Sequence, residues 1–183
     1  MTIVCDIDCI LNDLVEKTLD MYNSQSGKSI QMSDITSYNF FDCLSYEDAE
    51  GIVALFKNKS LWDSLKPREG AQNALKQLIK RGHHVYLATA TDPVNFGWKI
   101  DWLQQYFSFI PSDNVIRIMD KSLLKCDVLI DDCLDNLVSV FCDRITLNYP
   151  WNQSSSKDIV YDIVRCENWD EIVDAINKLE ERW

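Results

Sequence analysis

Short apolar runs that stop at a polar residue, alternating with helical periods, constrain this chain more than any other feature. Thr2-Ile3-Val4-Cys5-Asp6-Ile7-Asp8 is nearly continuous in apolar residues and ends in acids. That is the pattern of a strand buried on both faces whose carboxyl end carries polar groups, and it is expected to stop near Ile7. His84 to Ala88 gives a second such run, Asn114 to Ile118 a third, Asp127 to Ile130 a fourth and Arg144 to Leu147 a fifth. Between them apolar residues recur at helical spacing: Ala71, Leu75, Leu78 and Ile79 before a terminating Gly82, then Phe96, Ile100, Leu103 and Phe107, then Leu134 to Val140. Asn148 to Lys157 reads as a polar loop, and Asn168 with Glu171 caps a last helix on Trp169, Ile172, Val173, Ile176 and Leu179. Strands alternating with helices specify an α/β fold, with a parallel sheet flanked by helices on both faces.

One interval breaks the rhythm. From about Asn12 to about Lys66 the chain shows helices and loops but no convincing strand. Val15, Leu19 and Tyr22 mark one helix, Ala49, Ile52, Val53 and Phe56 a second behind a Ser45-to-Asp48 cap, and Tyr38-Asn39-Phe40-Phe41 forms an aromatic loop between them. We divide the chain into an α/β core of residues 1–12 and 67–183 and a small helical cap, 13–66, inserted after strand one. With 183 residues there is room for one core and an insertion, not for two full domains. Ligands of open α/β sheets bind outside the carboxyl ends of the strands, so such an insertion lies over the site.

Composition narrows the partners. Eighteen Lys and Arg against 29 Asp and Glu give a net charge of −11, which argues against a nucleic acid polymer as ligand and leaves room for a small anion held locally. Seven scattered cysteines form no CxxC pair, and the only two histidines, His83 and His84, are adjacent and point to opposite faces, so no zinc-ligand spacing exists. The cysteines read as reduced thiols in a cytosol. The first eleven residues carry Asp6 and Asp8 where a signal peptide needs basic and then apolar residues, and no run approaches 18 apolar residues. A soluble cytoplasmic protein without a membrane partner is expected, and a homodimer stays open.

Four polar features fall at the carboxyl ends of the expected strands: Asp6-x-Asp8, Thr89, Lys121 in Asp120-Lys121-Ser122, and Asp131-Asp132. Taken singly each is ordinary, since a DxD often marks a solvated turn and an Asp-Asp before a helix often caps it. Their occurrence in order, each at the same end of its own strand, gathers four carboxylates at one edge. A cation is then required, and all-oxygen ligands favour Mg2+. Thr89 and Lys121 add a hydroxyl and a positive charge for an anion docked there; Thr91 is a rival to Thr89, which follows the apolar run directly. Cys9 and Cys133 flank the two acidic pairs, but carboxylate neighbours suppress thiolates, so no redox switch is expected.

Asp6-Ile7-Asp8-Cys9-Ile10-Leu11, Ala88-Thr89-Ala90 and the stretch Asp120 to Asp132 resemble the four motifs of the haloacid dehalogenase-like (HAD) phosphohydrolases. Within that superfamily the ten-residue spacing of Lys121 and Asp131, with Leu61 to Leu65, Gly70-Ala71 and Trp102 to Phe107, is similar to the 5′(3′)-deoxyribonucleotidases, including the small bacterial and phage members. Two positions depart: Cys9 stands where a small or acidic residue is usual, and Ala90 where animal relatives often carry serine.

The resemblance implies a Rossmann-like core with a helical cap and a Mg2+-dependent phosphomonoesterase acting on deoxyribonucleoside monophosphates, with pyrimidines favoured. In it Asp6 is the nucleophile and Asp8 the general acid and base. Mg2+ is held by the Asp6 and Asp132 carboxylates and the Asp8 main-chain carbonyl, while Asp131 stands behind them and orients Lys121 or a water. Thr89, the Ala90 amide and Lys121 bind phosphate. Phe40, Phe41 and Trp62, with Tyr38 as a weaker candidate, are expected to bind the base, although cap aromatics also serve as cap core. Two other readings stay open, a HAD phosphatase for another small phosphomonoester, with a polar cap pocket, and a catalytically silent binding module.

Overall fold

In the computed structural model, which describes residues 1–182, the strands are β1 (Thr2–Cys5), β2 (His84–Thr89), β3 (Val115–Arg117), β4 (Val128–Ile130), β5 (Asp143–Leu147) and β6 (Ile163–Cys166). All neighbours are parallel, in the order β3-β2-β1-β4-β5-β6. The side chains alternate as a sheet covered on both faces requires. Ile3, Cys5, Val128 and Ile130 enter one apolar cluster, whereas Val4, Leu129 and Ala88 enter the other.

Among the described residues eight α-helices cover the sheet and fill the insertion: α1 (Leu14–Ser26), α2 (Tyr46–Leu55), α3 (Lys59–Ser64), α4 (Ala71–Lys80), α5 (Pro93–Tyr106), α6 (Leu134–Ser139), α7 (Ser155–Tyr161) and α8 (Trp169–Glu180). Local chemistry sets their ends. Ser45 accepts from the Asp48 amide at the start of α2, Asp92 from the amides of Val94 and Asn95 with Pro93 in the first turn of α5, and Asn168 from Glu171 at α8. Gly82, at φ +90°, closes the turn after α4.

Three expectations change. β1 ends at Cys5 rather than near Ile7, because only the Asp6 amide continues the ladder, to the Ile130 carbonyl, before the chain turns. Asn148 to Lys157 is not a plain loop: it holds a 3-10 turn, Pro150–Asn152, and the start of α7, which leads into a sixth strand. Helix α3 forms where the apolar spacing marks no separate helix; the Asn58 side chain caps its Ser60 amide.

Between β1 and α4 lie three α-helices and two 3-10 turns, with no strand among the described residues of that segment. Its two ends are tied together: Asn12 bridges Pro67, the Asp13 amide donates to Lys66, and the Arg68 amide to Leu11. A close helix approach holds the segment, for a Cβ at Gly51 of α2 would stand 2.5 Å from the Tyr22 ring of α1. Trp102 of α5 donates to the Leu65 carbonyl at 3.1 Å, fixing α3 to the sheet-packed part of the chain. No helix among the described residues is long and apolar enough to cross a membrane.

Candidate active site

The strand order reverses between β1 and β4, and the loops leaving these two strands carry the acids. Asp6 and Asp8 follow β1; Asp131 and Asp132 follow β4. Ligands of doubly wound sheets sit at this crevice. The loop after β1 is shaped by Asn12, whose Oδ1 accepts from the amides of Cys9 and Leu14 at 3.1 and 3.2 Å and whose Nδ2 donates to Asp8 at 3.3 Å. Cys9 takes φ +60°, a conformation that side chains with a Cβ rarely adopt.

Lys121, 2% exposed, donates to Asp6 and, at 2.6 Å, to Asp131. Asp131 has no spare capacity. Its Oδ1 also accepts from the Cys133 amide at 2.9 Å, and Asn136 donates to both its oxygens. Asp132 differs: Trp151 donates its indole N–H to Oδ2 at 3.0 Å, and no protein donor meets Oδ1 among the described residues. One ammonium therefore serves a buried cluster of three carboxylates. Burial, and then the Asp131 and Asp8 charges, outweigh Lys121 and push Asp6 up to about 7; burial with Asp131 and Asp6 raises Asp132 as well. Lys121 moves upward too, because its two acids outweigh the cost of burial.

This shortage of positive charge fits a divalent cation. No set of three or more His, Cys, Asp or Glu side chains stands close enough to hold an ion by side chains alone among the described residues. Two carboxylates and a main-chain carbonyl suit the site instead: Asp6 has one oxygen beyond that held by Lys121, Asp132 has Oδ1, and the Asp8 carbonyl has no backbone partner among the described residues. The donors are hard oxygens, as Mg2+ prefers.

Thr89, at the end of β2, is 1% exposed, and its hydroxyl meets a residue that sequence reasoning missed. Lys99 of α5 donates to Thr89 Oγ1 at 2.7 Å and to Asp8, and its ammonium lies 5.3 Å from the centre of the Trp62 ring. A usable signal existed. The buried face of α5 is Asn95, Lys99, Trp102 and Leu103, so a lysine occupies the apolar stripe.

Above these groups opens a cavity of about 440 Å3. Asp8, Ala90, Thr91, Lys99 and Asp132 bring polar groups to its walls and Leu14, Ile35, Phe40, Val53, Phe56, Trp62 and Trp151 apolar ones, with Tyr38, Asn39 and Lys57 among the remaining lining residues. Asp6 and Lys121 lie outside this lining. Phe40 packs 6.0 Å from Phe56, and Trp62, 3% exposed, donates to the Phe56 carbonyl. Phe41 is not brought to the cavity: it is 42% exposed and packs on Tyr46, ring centres 5.4 Å apart. Burial raises the Cys9 thiol and pushes Cys133 up to about 11, with the neighbouring carboxylates as a lesser cause.

Known proteins share this arrangement of elements. A family model described as 5′ nucleotidase, deoxy (pyrimidine), cytosolic type C protein matches residues 1–181. The 5′(3′)-deoxyribonucleotidases of Bacillus subtilis strain 168 and Bacillus phage SPbeta are each 30% identical over 171 residues, covering 93% of this chain and 95% of theirs. Among solved structures, a HAD family hydrolase from Deinococcus radiodurans R1 with bound phosphate and sodium superposes with a TM-score of 0.66 at 11% identity, over 97% of this chain and 95% of that one. A phosphatase from Lactobacillus delbrueckii, described as a putative phosphoglycolate phosphatase, gives 0.61 at 14% identity, over 96% and 97%. These two share the fold, whereas the family match spans the chain: it belongs to the deoxy (pyrimidine), cytosolic type C 5′-nucleotidase family, and is a phosphomonoester hydrolase on a HAD-like α/β fold.

Proposed function

We propose that this enzyme is a Mg2+-dependent 5′(3′)-deoxyribonucleotidase that prefers pyrimidine deoxynucleoside monophosphates. The observation that carries the reading is the mixed lining of the cavity, where Asp8, Asp132 and Lys99 share one space with Phe40, Phe56 and Trp62 of the segment 13–66, which we take as a cap. A base brings a flat π-face that stacks on such rings for about 1–3 kcal/mol, whereas a sugar phosphate has only C–H groups to lay against them. Seven free cysteines and a net charge of −11 suit work on free nucleotides in the cytoplasm, away from nucleic acid polymers and membranes.

In the proposed reaction an Asp6 oxygen attacks phosphorus, the phosphorus–ribose oxygen bond breaks, and Asp8 gives its proton to the leaving oxygen. Water then attacks the aspartyl-phosphate and passes a proton to Asp8, which releases phosphate and restores both acids. Asp6, Asp132 and the Asp8 carbonyl would hold Mg2+, which would supply positive charge to the phosphoryl oxygens. Thr89, the Ala90 amide, Lys99 and Lys121 surround those oxygens with donors, and Asp131 holds Lys121 in place.

Phosphate release from dUMP, dTMP, a sugar phosphate and an aryl phosphate, with Mg2+ and with chelator, tests the reading. Deoxynucleotides are expected to lead and the chelator to stop turnover; a sugar phosphate turned over as well as dUMP refutes the substrate class. Asp6→Asn is expected to abolish activity with the fold intact. Asp8→Asn should lose about 10²–10⁴-fold with nucleotides but much less with the aryl phosphate, whose leaving group needs little protonation. Equal losses on both substrates would remove Asp8 from the acid's role.

A further inference from the structure

Asp132 is held unlike the other acids. Asp6 and Asp131 share Lys121, and Asp8 has Lys99 and Asn12. Asp132 is 4% exposed, and no lysine or arginine pairs with it among the described residues. Its two protein donors come from one turn: the Trp151 indole to Oδ2 at 3.0 Å and Asn152 Nδ2 to its main-chain carbonyl at 3.1 Å.

That turn is itself fixed. Asn152 Nδ2 also donates to Thr146 Oγ1 and the Leu147 carbonyl, and Asn152 Oδ1 accepts from the Tyr149 amide and from Arg165. Trp151 stacks on Tyr149 with ring centres 4.2 Å apart and planes 5° from parallel. The Tyr149 hydroxyl donates to the Cys9 carbonyl at 2.5 Å, one residue beyond Asp8. The stack thus joins the loop after β1 to the acid after β4.

An indole is a donor only, with one N–H. It can hold one carboxylate oxygen, cannot turn round to compete as a ligand, and brings no charge to cancel the one a cation needs. We infer that Trp151 is a positioning residue for the cation site: by holding Oδ2 of Asp132 it turns Oδ1 to the cation, and through Tyr149 it keeps that oxygen in register with Asp6 and Asp8. The inference rests on the Mg2+ reading above. Partners that orient a metal ligand from behind typically govern 10–100-fold in metal affinity.

Mg2+ binding to the purified protein without nucleotide, measured by titration calorimetry, tests it. Trp151→Phe keeps an aromatic ring for the stack and removes the N–H, and is expected to weaken Mg2+ about 10–100-fold. Trp151→His, whose imidazole N–H can donate, should recover most of that loss. Turnover by the Phe variant should need correspondingly more Mg2+. If Trp151→Phe binds Mg2+ as the unmodified protein does, the inference is overturned and Trp151 is cavity wall alone. Should Trp151→Phe fail to fold, Tyr149→Leu carries the test: it keeps the indole, loses the stack, and is expected to weaken Mg2+ by several-fold, whereas unchanged affinity overturns the coupling of the two loops. No Mg2+ binding by the unmodified protein overturns the metal reading itself and this inference with it, an outcome no variant can imitate.

Discussion

Two lysines meet the two acids that follow β1, in different surroundings. The Lys121 side chain is 1% exposed and its partners Asp6 and Asp131 are 9% and 1% exposed, so that pair lies under the cavity floor. The Lys99 side chain is 2% exposed, but its partner Asp8 is 23% exposed, and Lys99 lines the cavity with the Trp62 ring beside it. A carboxylate sealed from water depends on its cation, because losing one partner strands the other; one that water reaches can be rehydrated. In the proposed reaction the floor therefore serves stability and chemistry together, and the wall serves mainly chemistry.

Breaking both pairs in the same way exposes the difference. Lys121→Met leaves Asp6 and Asp131 buried without an ammonium and is expected to cost about 3–5 kcal/mol in unfolding free energy at neutral pH, with turnover lost. Lys99→Met should cost about 1 kcal/mol, since water reaches Asp8, while KM for a deoxynucleotide rises about 10–100-fold from the loss of a charged donor to phosphate. Denaturant unfolding and initial rates on the two variants check both. Equal destabilisation by the two would erase the distinction between floor and wall.

The same contrast governed what could be read from the chain. Lys121 was legible because it follows a strand, so topology brings it to the edge where it meets Asp131. Lys99 was not, because it lies inside α5, and Phe96 and Ile100, half-buried in the structure, suggested a different buried face. The central strands announced themselves by unbroken apolar runs, which burial on both faces demands. The edge strand β6 did not, because Val164 is exposed and Arg165 breaks the run, reaching Asp158 and Asn152 instead. Trp151 escaped notice in a polar stretch, where nothing local shows that an indole will find a carboxylate some twenty residues away. Thr89 closes β2 as its place after the apolar run suggests, yet its rival Thr91 is the threonine that lines the cavity, and what gives the Thr89 hydroxyl a partner is the unforeseen Lys99.

The segment 13–66 offers a second pair to set side by side, with a smaller expected effect. Phe40 and Phe41 are neighbours in one 3-10 turn, but only Phe40 lines the cavity. Phe40→Ala is expected to raise KM for dUMP or dTMP about tenfold, about 1.4 kcal/mol, while sparing a small aryl phosphate. Phe41→Ala removes a ring that rests on Tyr46 at the surface and should change KM little. If Phe40→Ala harms both substrates alike and melts earlier, Phe40 is cap core and the base-binding role passes to Phe56 and Trp62.

The smallest effect concerns the residue between floor and wall. Cys9 follows Asp8, is 3% exposed, and holds φ +60° while its amide donates to Asn12 and its carbonyl accepts from Tyr149 and Arg68. Those three contacts fix the backbone, so the chain keeps a left-handed residue with a Cβ at a cost of about 1–2 kcal/mol. Cys9→Ala and Cys9→Gly both delete the thiol, and comparing them isolates the backbone. The glycine variant regains the left-handed penalty but gives back about 0.5–1 kcal/mol of chain entropy, leaving it more stable than the alanine variant by about 1 kcal/mol. In a domain of this size that is a difference of about 2–4 °C in Tm. Activity should stay near that of the unmodified protein in both variants, because no reacting group is touched. An alanine variant as stable as the glycine variant would mean that the loop relaxes when the thiol goes, and that the placement of Asp6 and Asp8 owes nothing to strain at Cys9.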